Sequence, residues 1–312
     1  MRTKGSRELW TFLVPALIIL VVFYFLPMIL TIYISFTPLR NWNINRYAWM
    51  IIGWRNYYRL FHAIQNDPSV RAVFLTTVVF VSVTLLINVL GGLLLALINF
   101  FVEKRSNAII NTIWLLPRMA PIAVYSLVWY YFFHGSEIGT LNSIFLKLGL
   151  IQKPISWGQE YLPYGAWSVI IFVNGLVGVS FGMIVLSSAI SSIPAEHVIA
   201  ARVDGATDWQ LCKRILIPQI RWHIMYVATW QLLSLLTSYA HTYLLVSWRL
   251  VDKSYGTPWA LYVYELAFTG IFDQGFAAAA GVLLVIVGAF LGWITLKILG
   301  FDKLLTEPRG DL

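Results

Sequence analysis

The sequence predicts an all-α membrane protein with six transmembrane helices, and three observations carry that expectation. Only 12% of its 312 residues are charged, half of the roughly 25% usual for a water-facing domain. Those charges are clustered, and the runs between them stay apolar for about 20 residues or more, the length that crosses a hydrocarbon core of about 30 Å. The mean hydropathy is +0.74.

Each element can be argued in turn. The first apolar run begins at Leu9 and continues to about Phe36. It outlasts the roughly 7–15 residues of a signal-peptide core, and no A-x-A-like cleavage site follows, so a retained helix is expected. Pro27 within it is a kink that membrane helices tolerate. Residues 37–71 are polar and aromatic, with Trp42, Trp49, Trp54, Tyr57 and Tyr58, residue types that favour the membrane–water interface. A second span covers 72–101 and stops at the charged turn Glu103-Lys104-Arg105; a third, 108–134, holds Pro117, Arg118 and Pro121. In the loop 135–163, Leu141, Ile144, Phe145 and Leu148 recur at helical spacing, which suggests a short surface helix. The fourth span is expected at 164–190, the fifth at 222–247 and the sixth at 275–299, with an amphiphilic stretch at 191–221. No period of 20–50 residues recurs, so the chain is no repeat array.

Six spans put both termini on one side. That side holds 12 Lys and Arg (Arg2, Lys4, Arg7, Lys104, Arg105, Arg202, Lys213, Arg214, Arg221, Lys297, Lys303 and Arg309) against nine on the other, five of them within 37–71. The bias favours cytosolic termini. The net charge of +8 is spread along the flanks and forms no concentrated patch, which argues against nucleic acid as a partner. Cys212 is the only cysteine, so an internal disulfide and a cysteine-based metal cluster are excluded. His62, His134, His197 and His223 show no ligand spacing, and no metal site is expected.

The segment 193–218 reads as two short helices joined by a tight turn. Pro194 suits a first helical position, Gly205 suits a left-handed residue closing the first helix, and Thr207 with Gln210 makes a capping box for the second. Pro218 limits the second helix and leads into the fifth span, and the small Ala200, Ala201 and Ala206 leave room for a close partner.

This segment resembles the EAA loop of binding-protein-dependent ABC importer permeases. Ala200, Ala201, Asp204, Gly205, Ala206, Ile215 and Pro218 fall in register with that pattern, and Ile193-Pro194 is correctly spaced upstream. The Asp-Gly-Ala form is similar to the carbohydrate branch, related to the maltose and glycerol-3-phosphate permeases. Two positions depart from it: Ile199 stands where the motif has Glu, and Cys212 where it has Phe. Glu196, three residues before Ile199, offers a carboxylate from the next turn. The resemblance covers about 52–299: Gly53-Trp54-Arg55-Asn56-Tyr57, Leu115-Leu116-Pro117, Trp129, Gly139-Thr140-Leu141-Asn142 and Gly275-Phe276-Ala277-Ala278-Ala279 match the family along its spans.

The resemblance implies a type I ABC importer permease fold in a prokaryotic inner membrane. Residues 1–71 would be an N-terminal helix and extracytoplasmic loop, 72–299 the permease core with its cytosolic coupling loop at 191–221, and 300–312 a cytosolic tail. It further implies a second, different permease subunit, two ATPase subunits and an extracytoplasmic solute-binding protein. Trp209 joins the motif residues as an expected coupling-loop contact. The chain has no G-x-x-x-x-G-K-[ST] phosphate loop, so ATP and Mg are expected on the partner ATPase, with no cofactor on this chain and no enzymatic activity of its own.

Polar residues inside spans often mark a transport route. Gln231, Ser234, Ser238 and His241 recur at steps of three and four along the fifth span. Asn174 sits among Gly175, Gly178 and Gly182 on the fourth, and Arg118 lies about ten residues into the third. With Trp230, whose ring suits a sugar C–H face, these form the expected substrate path, although such groups also serve helix packing. Two other classes are disfavoured. An ion-coupled transporter or channel of small polar solutes needs acidic residues well inside a span, and a membrane-embedded enzyme needs more than the Ser238–His241 pair.

Overall fold

The computed structural model describes residues 13–47 and 49–298. The 300–312 tail, and the start of the first span at Leu9, lie outside them. The regular elements among the described residues are all helices; Gly158 and Val251 make an isolated bridge. They form two compact units, one within Met1–Pro68 with Tyr262–Ile286 and the other within Ser69–Leu261 with Val287–Leu312.

In the first unit, α1 (Leu13–Ser35) is long and apolar enough to cross a membrane and buries none of its most apolar stretch. A helix apolar on every face with nothing packed on it suits a lipid solvent. Its end is tied down by α2 (Arg55–Asn66). Buried Asn56 donates to the carbonyls of Ser35 and Thr37 at 2.9 and 2.8 Å, and Tyr57 Oη meets Ser35 Oγ at 2.8 Å. The Asn-Tyr pair noted in the sequence therefore answers carbonyls left without helical partners at the end of α1. The chain after α1 is also laced to 272–275: Asn41 N donates to Phe272 O at 2.8 Å, and Gly275 N to Leu39 O at 2.9 Å. Asp273, with a side chain only 3% exposed, takes Arg40 at 2.8 Å and Arg59 at 2.9 Å on the same Oδ2, while its Oδ1 accepts from Phe276 N at 3.2 Å. Trp49, Trp54 and Tyr58 are exposed, as a segment at a membrane interface requires.

The second unit is organised around α7. Its helices include α3 (Pro68–Phe101), α4 (Lys104–Met119), α5 (Ile122–Phe133), α6 (Thr140–Lys147), α7 (Tyr164–Ser191), α8 (Ala195–Val203), α9 (Asp208–Leu211, continued through a wide turn at Cys212–Leu216), α10 (Arg221–Thr237) and α11 (Ala240–Ser247). α7 is 67% buried over its most apolar stretch, against 28% for α3, and packs on α4, α5, α10 and α11. α3 approaches it closely because glycine meets glycine: a Cβ on Gly92 would lie 2.7 Å from Gly182 Cα. The last long helix, α12 (Gln274–Ile298), begins in the first unit and ends in the second.

Four of the expected spans are single helices: α1, α3, α7 and α12. With the third counted as one bent span, the described residues give up to five helices long and apolar enough to cross a membrane instead of the expected six; the stretch expected as the fifth is divided into two shorter helices and is not among them. The third bends by 103° between α4 and α5. Pro117 lies inside α4, and Ala120 and Pro121 are extended, because proline removes one helical donor and disfavours helix in the residue before it. The fifth breaks between α10 and α11, where Ser238 is extended and Tyr239 follows at φ −136°. The surface helix expected in 135–163 is α6. Its buried Asn142 donates to His134 O and Ile155 O at 3.0 Å each and accepts from Trp157 Nε1 at 2.9 Å, closing the loop on itself.

Candidate functional site

The two interrupted spans both pack on α7, and α5 of one touches α11 of the other. Irregular backbone at membrane depth is tolerated where it lines a cavity or is buried in protein, and a cleft of ≈ 140 Å³ lies at both breaks. Arg118, from the last turn of α4, and Asn174, Trp230, Gln231, Ser234, Ser238 and His241 all line it, together with Val177, Gly178 and Phe181. The structure thus gathers all seven residues of the expected path around one space.

Their side chains are differently engaged. Asn174 Nδ2 donates to Ser238 Oγ at 3.1 Å, tying the middle of α7 to the α10–α11 break. Gln231 is buried; its Nε2 donates to Gly178 O at 2.8 Å and its amide meets that of Asn88 on α3 at 3.2 Å. Its polar end therefore holds three helices together. Trp230 is exposed toward the cleft side and stacks on Phe181, 6.2 Å between centroids, and on Tyr226 at 6.3 Å. The Arg118 guanidinium lies over the same Phe181 ring at 5.2 Å. His241 packs edge-on to Tyr125 at 5.4 Å, and its buried Nδ1 has no hydrogen-bond partner among the described residues. The cleft so offers an aromatic wall beside hydroxyl and amide groups, with one cation and no carboxylate in its lining. A second cleft of ≈ 270 Å³ sits at the far ends of α5 and α11, lined by Tyr130, His134, Ser136, Trp248 and Arg249 among others.

Asn88, Phe181 and Tyr125 were not singled out from sequence. Asn88 was findable: it is a polar residue in an apolar run, next to Gly91-Gly92.

At the other end of α7, the segment 193–218 forms the two-helix turn read from its sequence. Gly205 takes φ +80° after α8, with nothing within 4 Å of its Cβ position. Thr207 Oγ1 accepts from Gln210 N at 3.3 Å, and Thr207 N donates to Gln210 Oε1 at 2.9 Å, a complete capping box. Arg202 and Asp208 pair across the turn. Two proline expectations shift slightly. Pro194 precedes the first helical residue instead of occupying it. Pro218 sits within a final turn, Ile217–Gln219, after the wide turn Cys212–Leu216; a proline there cannot donate the ordinary helical bond, and the wide turn accommodates that loss.

The underside of this segment is anchored. Leu211, Cys212, Leu216 and Ile220 are buried against Ala96 of α3, Leu186, Ala189 and Ile190 of α7, and Val227 of α10. Cys212, standing where the motif has Phe, is a core residue; burial, with the Asp208 charge adding to it, raises its thiol above the ordinary pKa. Ile215 packs against the same core. Ala201 and Ala206 are half-buried, whereas Ala200, Asp204, Gly205, Trp209 and Pro218 are exposed. Ile199, Val203 and Trp209 leave 60%, 81% and 73% of their surface open, a concentration of apolar surface that points to a partner.

Comparison with known proteins agrees with this architecture. Residues 88–301 match the family described as binding-protein-dependent transport system inner membrane component. A relative from Synechocystis, the osmoprotective compounds uptake permease protein GgtC, is 31% identical over 224 residues, 70% of this chain and 74% of the relative. The lactose transport system permease protein LacF of Rhizobium radiobacter is 24% identical over 285 residues, 91% of each chain. Among solved structures, a bacterial alginate ABC transporter bound to a pentasaccharide-loaded periplasmic protein shares the fold, with a TM-score of 0.77 at 23% identity over 95% of this chain and 94% of that one. The chain belongs to the family of binding-protein-dependent transport system inner membrane components and is a multi-pass membrane permease of the ABC importer type.

Proposed function

We propose that this chain is a permease subunit of an ATP-driven importer of a carbohydrate, with the 191–221 loop on the cytosolic face gripping an ATPase. One observation carries the reading: a rigid two-helix turn stands at one end of α7, and the cleft is built on the middle of the same helix. A push on Ala200, Asp204, Gly205 or Trp209 passes through Leu211 and Leu216 into α3 and α7. Motion of α7 then shifts Asn174 and Gly178 against the two breaks.

Within this reading both termini are cytosolic. A second permease completes the path, two ATPase subunits bind ATP and Mg, and a solute-binding protein delivers the sugar from outside. The carbohydrate assignment draws on the relative named for lactose and on the chemistry of the cleft, where an aromatic wall suits sugar C–H faces and Ser, Asn and Trp groups suit its hydroxyls. Membrane-unit boundaries follow the same picture: an N-terminal helix and outer loop over 1–71, the permease core over 72–299 and a cytosolic tail over 300–312.

The test is Gly205→Pro in the assembled importer. Proline fixes φ near −65°, and Gly205 needs +80°, so the turn must rearrange at an exposed point far from the cleft. Expected is loss of ATP-driven uptake with normal membrane insertion; uptake and ATPase coupling equal to wild type would refute the coupling role.

A further inference from the structure

We infer that the cleft takes a saccharide carrying an anionic oxyacid group, a carboxylate or a phosphate, with Arg118 as its counter-charge. This rests on the reading of the cleft as part of the substrate path and names the substrate class within it.

Arg118 is the next-to-last residue of α4, 14 residues past Lys104, which places it about 21 Å along the helix at about 1.5 Å per residue. Arg118 is exposed within this single chain, and a cation that far along an expected span calls for a partner. Elsewhere in the chain Arg40, Arg59 and Arg202 are each answered by an aspartate. Arg118 has only the Phe181 ring at 5.2 Å, and no Asp or Glu lines the cleft it faces. The C-terminal end of α4 offsets the charge only in part, since a helix end carries about half an elementary charge.

The geometry fits an oxyanion. Phe181 covers one face of the guanidinium, while its edge carries the N–H donors that match a carboxylate or phosphate in a fork. The neighbouring groups can donate toward the same space. Ser238 Oγ accepts from Asn174, which leaves its own proton for a ligand, and Ser234 and the Trp230 indole add further donors. A neutral sugar would use the hydroxyls and the aromatic wall but leave the guanidinium without an anion.

The test uses the assembled importer in nanodiscs without its solute-binding protein, and equilibrium dialysis with three labelled probes: glucuronic acid, glucose 6-phosphate and glucose. At least one acid is expected to bind about tenfold more tightly than glucose. Arg118→Gln should erase that advantage, bringing the acids to the affinity that the same variant shows for glucose, while Arg118→Lys, a point charge without the fork, should keep part of it. Which acid gains more tells carboxylate from phosphate. Equal binding of the three probes, or an advantage that survives Arg118→Gln, overturns the inference. In that result, continued weakening of glucose binding by Trp230→Ala or Ser238→Ala leaves the path reading standing. If no probe binds, or neither of those variants affects any probe, the path reading falls and the inference with it. Loss of the assembled complex in Arg118→Gln, with no preference for the acids in wild type, assigns Arg118 to a subunit contact and also overturns it.

Discussion

α3 meets α7 backbone to backbone at Gly92 and Gly182, one turn from the cleft residue Gly178, and Gly92→Ala tests that contact. A Cβ at Gly92 would stand 2.7 Å from Gly182 Cα, 2.9 Å from Gly182 C and 3.0 Å from Met183 N. Carbon atoms pack comfortably at about 3.5–4.0 Å, so the shortfall is roughly 0.8–1.3 Å. All three atoms are backbone, and no rotamer change relieves the clash. The helices must separate, at a cost of about 1–3 kcal/mol typical of overpacking. Gly175→Ala is the control, because its Cβ would meet only side-chain atoms at ordinary contact distance, Ile87 Cγ2 at 3.4 Å and Asn88 Oδ1 at 3.9 Å. Both substitutions gain the same helix propensity, about 1 kcal/mol relative to glycine, so their difference isolates the packing. For a unit of this size each kcal/mol moves Tm by about 2–4 °C. Detergent-purified Gly92→Ala should therefore unfold about 2–12 °C below Gly175→Ala, with reduced uptake. Equal Tm values for the two variants would refute the close-contact argument.

Three further outcomes follow from the same geometry. Asp273→Asn leaves Arg40 and Arg59 facing each other and weakens the cap on Phe276 N; because the arginines are 52% and 39% exposed, the loss should be about 1–3 kcal/mol, below that of a fully buried pair, read as a lowered Tm. Gln231→Leu removes the ties to Gly178 O and Asn88 and should cost about 1–3 kcal/mol in detergent stability, as unsatisfied buried polar groups do; an unchanged Tm would return Gln231 to a purely ligand-facing role. Cys212, with its thiol raised by burial, should react with maleimide far more slowly than a free thiol at neutral pH. Its rate should keep climbing above the pH at which a free thiol levels off, because only the thiolate attacks.

The parts of this architecture that were legible in sequence are those set by local chemistry. The spans α1, α3, α7 and α12 announced themselves as uncharged apolar runs, and the two-helix turn of 193–218 was readable from Gly205 and the Thr207–Gln210 pair, whose conformational demands are local. The breaks were less legible. Pro117 and Pro121 hinted at the first, but the bend of 103° depends on what α5 packs against. Nothing in Ser238-Tyr239 forbids a helix, so the second break follows from tertiary contacts, the Asn174–Ser238 bond among them. Gln231 illustrates the remaining gap: the sequence places it on a polar stripe, yet the partners that occupy its amide lie 53 and 143 residues away along the chain. The Asp273 cluster was hidden for the same reason, since Arg59 lies 214 residues away.

The 191–221 turn is proposed as the cytosolic handle that an ATPase moves. The direct measurement places a single cysteine at exposed Trp209 in a Cys212→Ala background and crosslinks the assembled importer in proteoliposomes of known orientation. The account predicts a crosslink to the ATPase, protection of the cysteine from reagents added on the extracytoplasmic side, and arrest of ATP-driven uptake until the link is reduced. Labelling from the extracytoplasmic side, or uptake that continues through an intact crosslink, would contradict it.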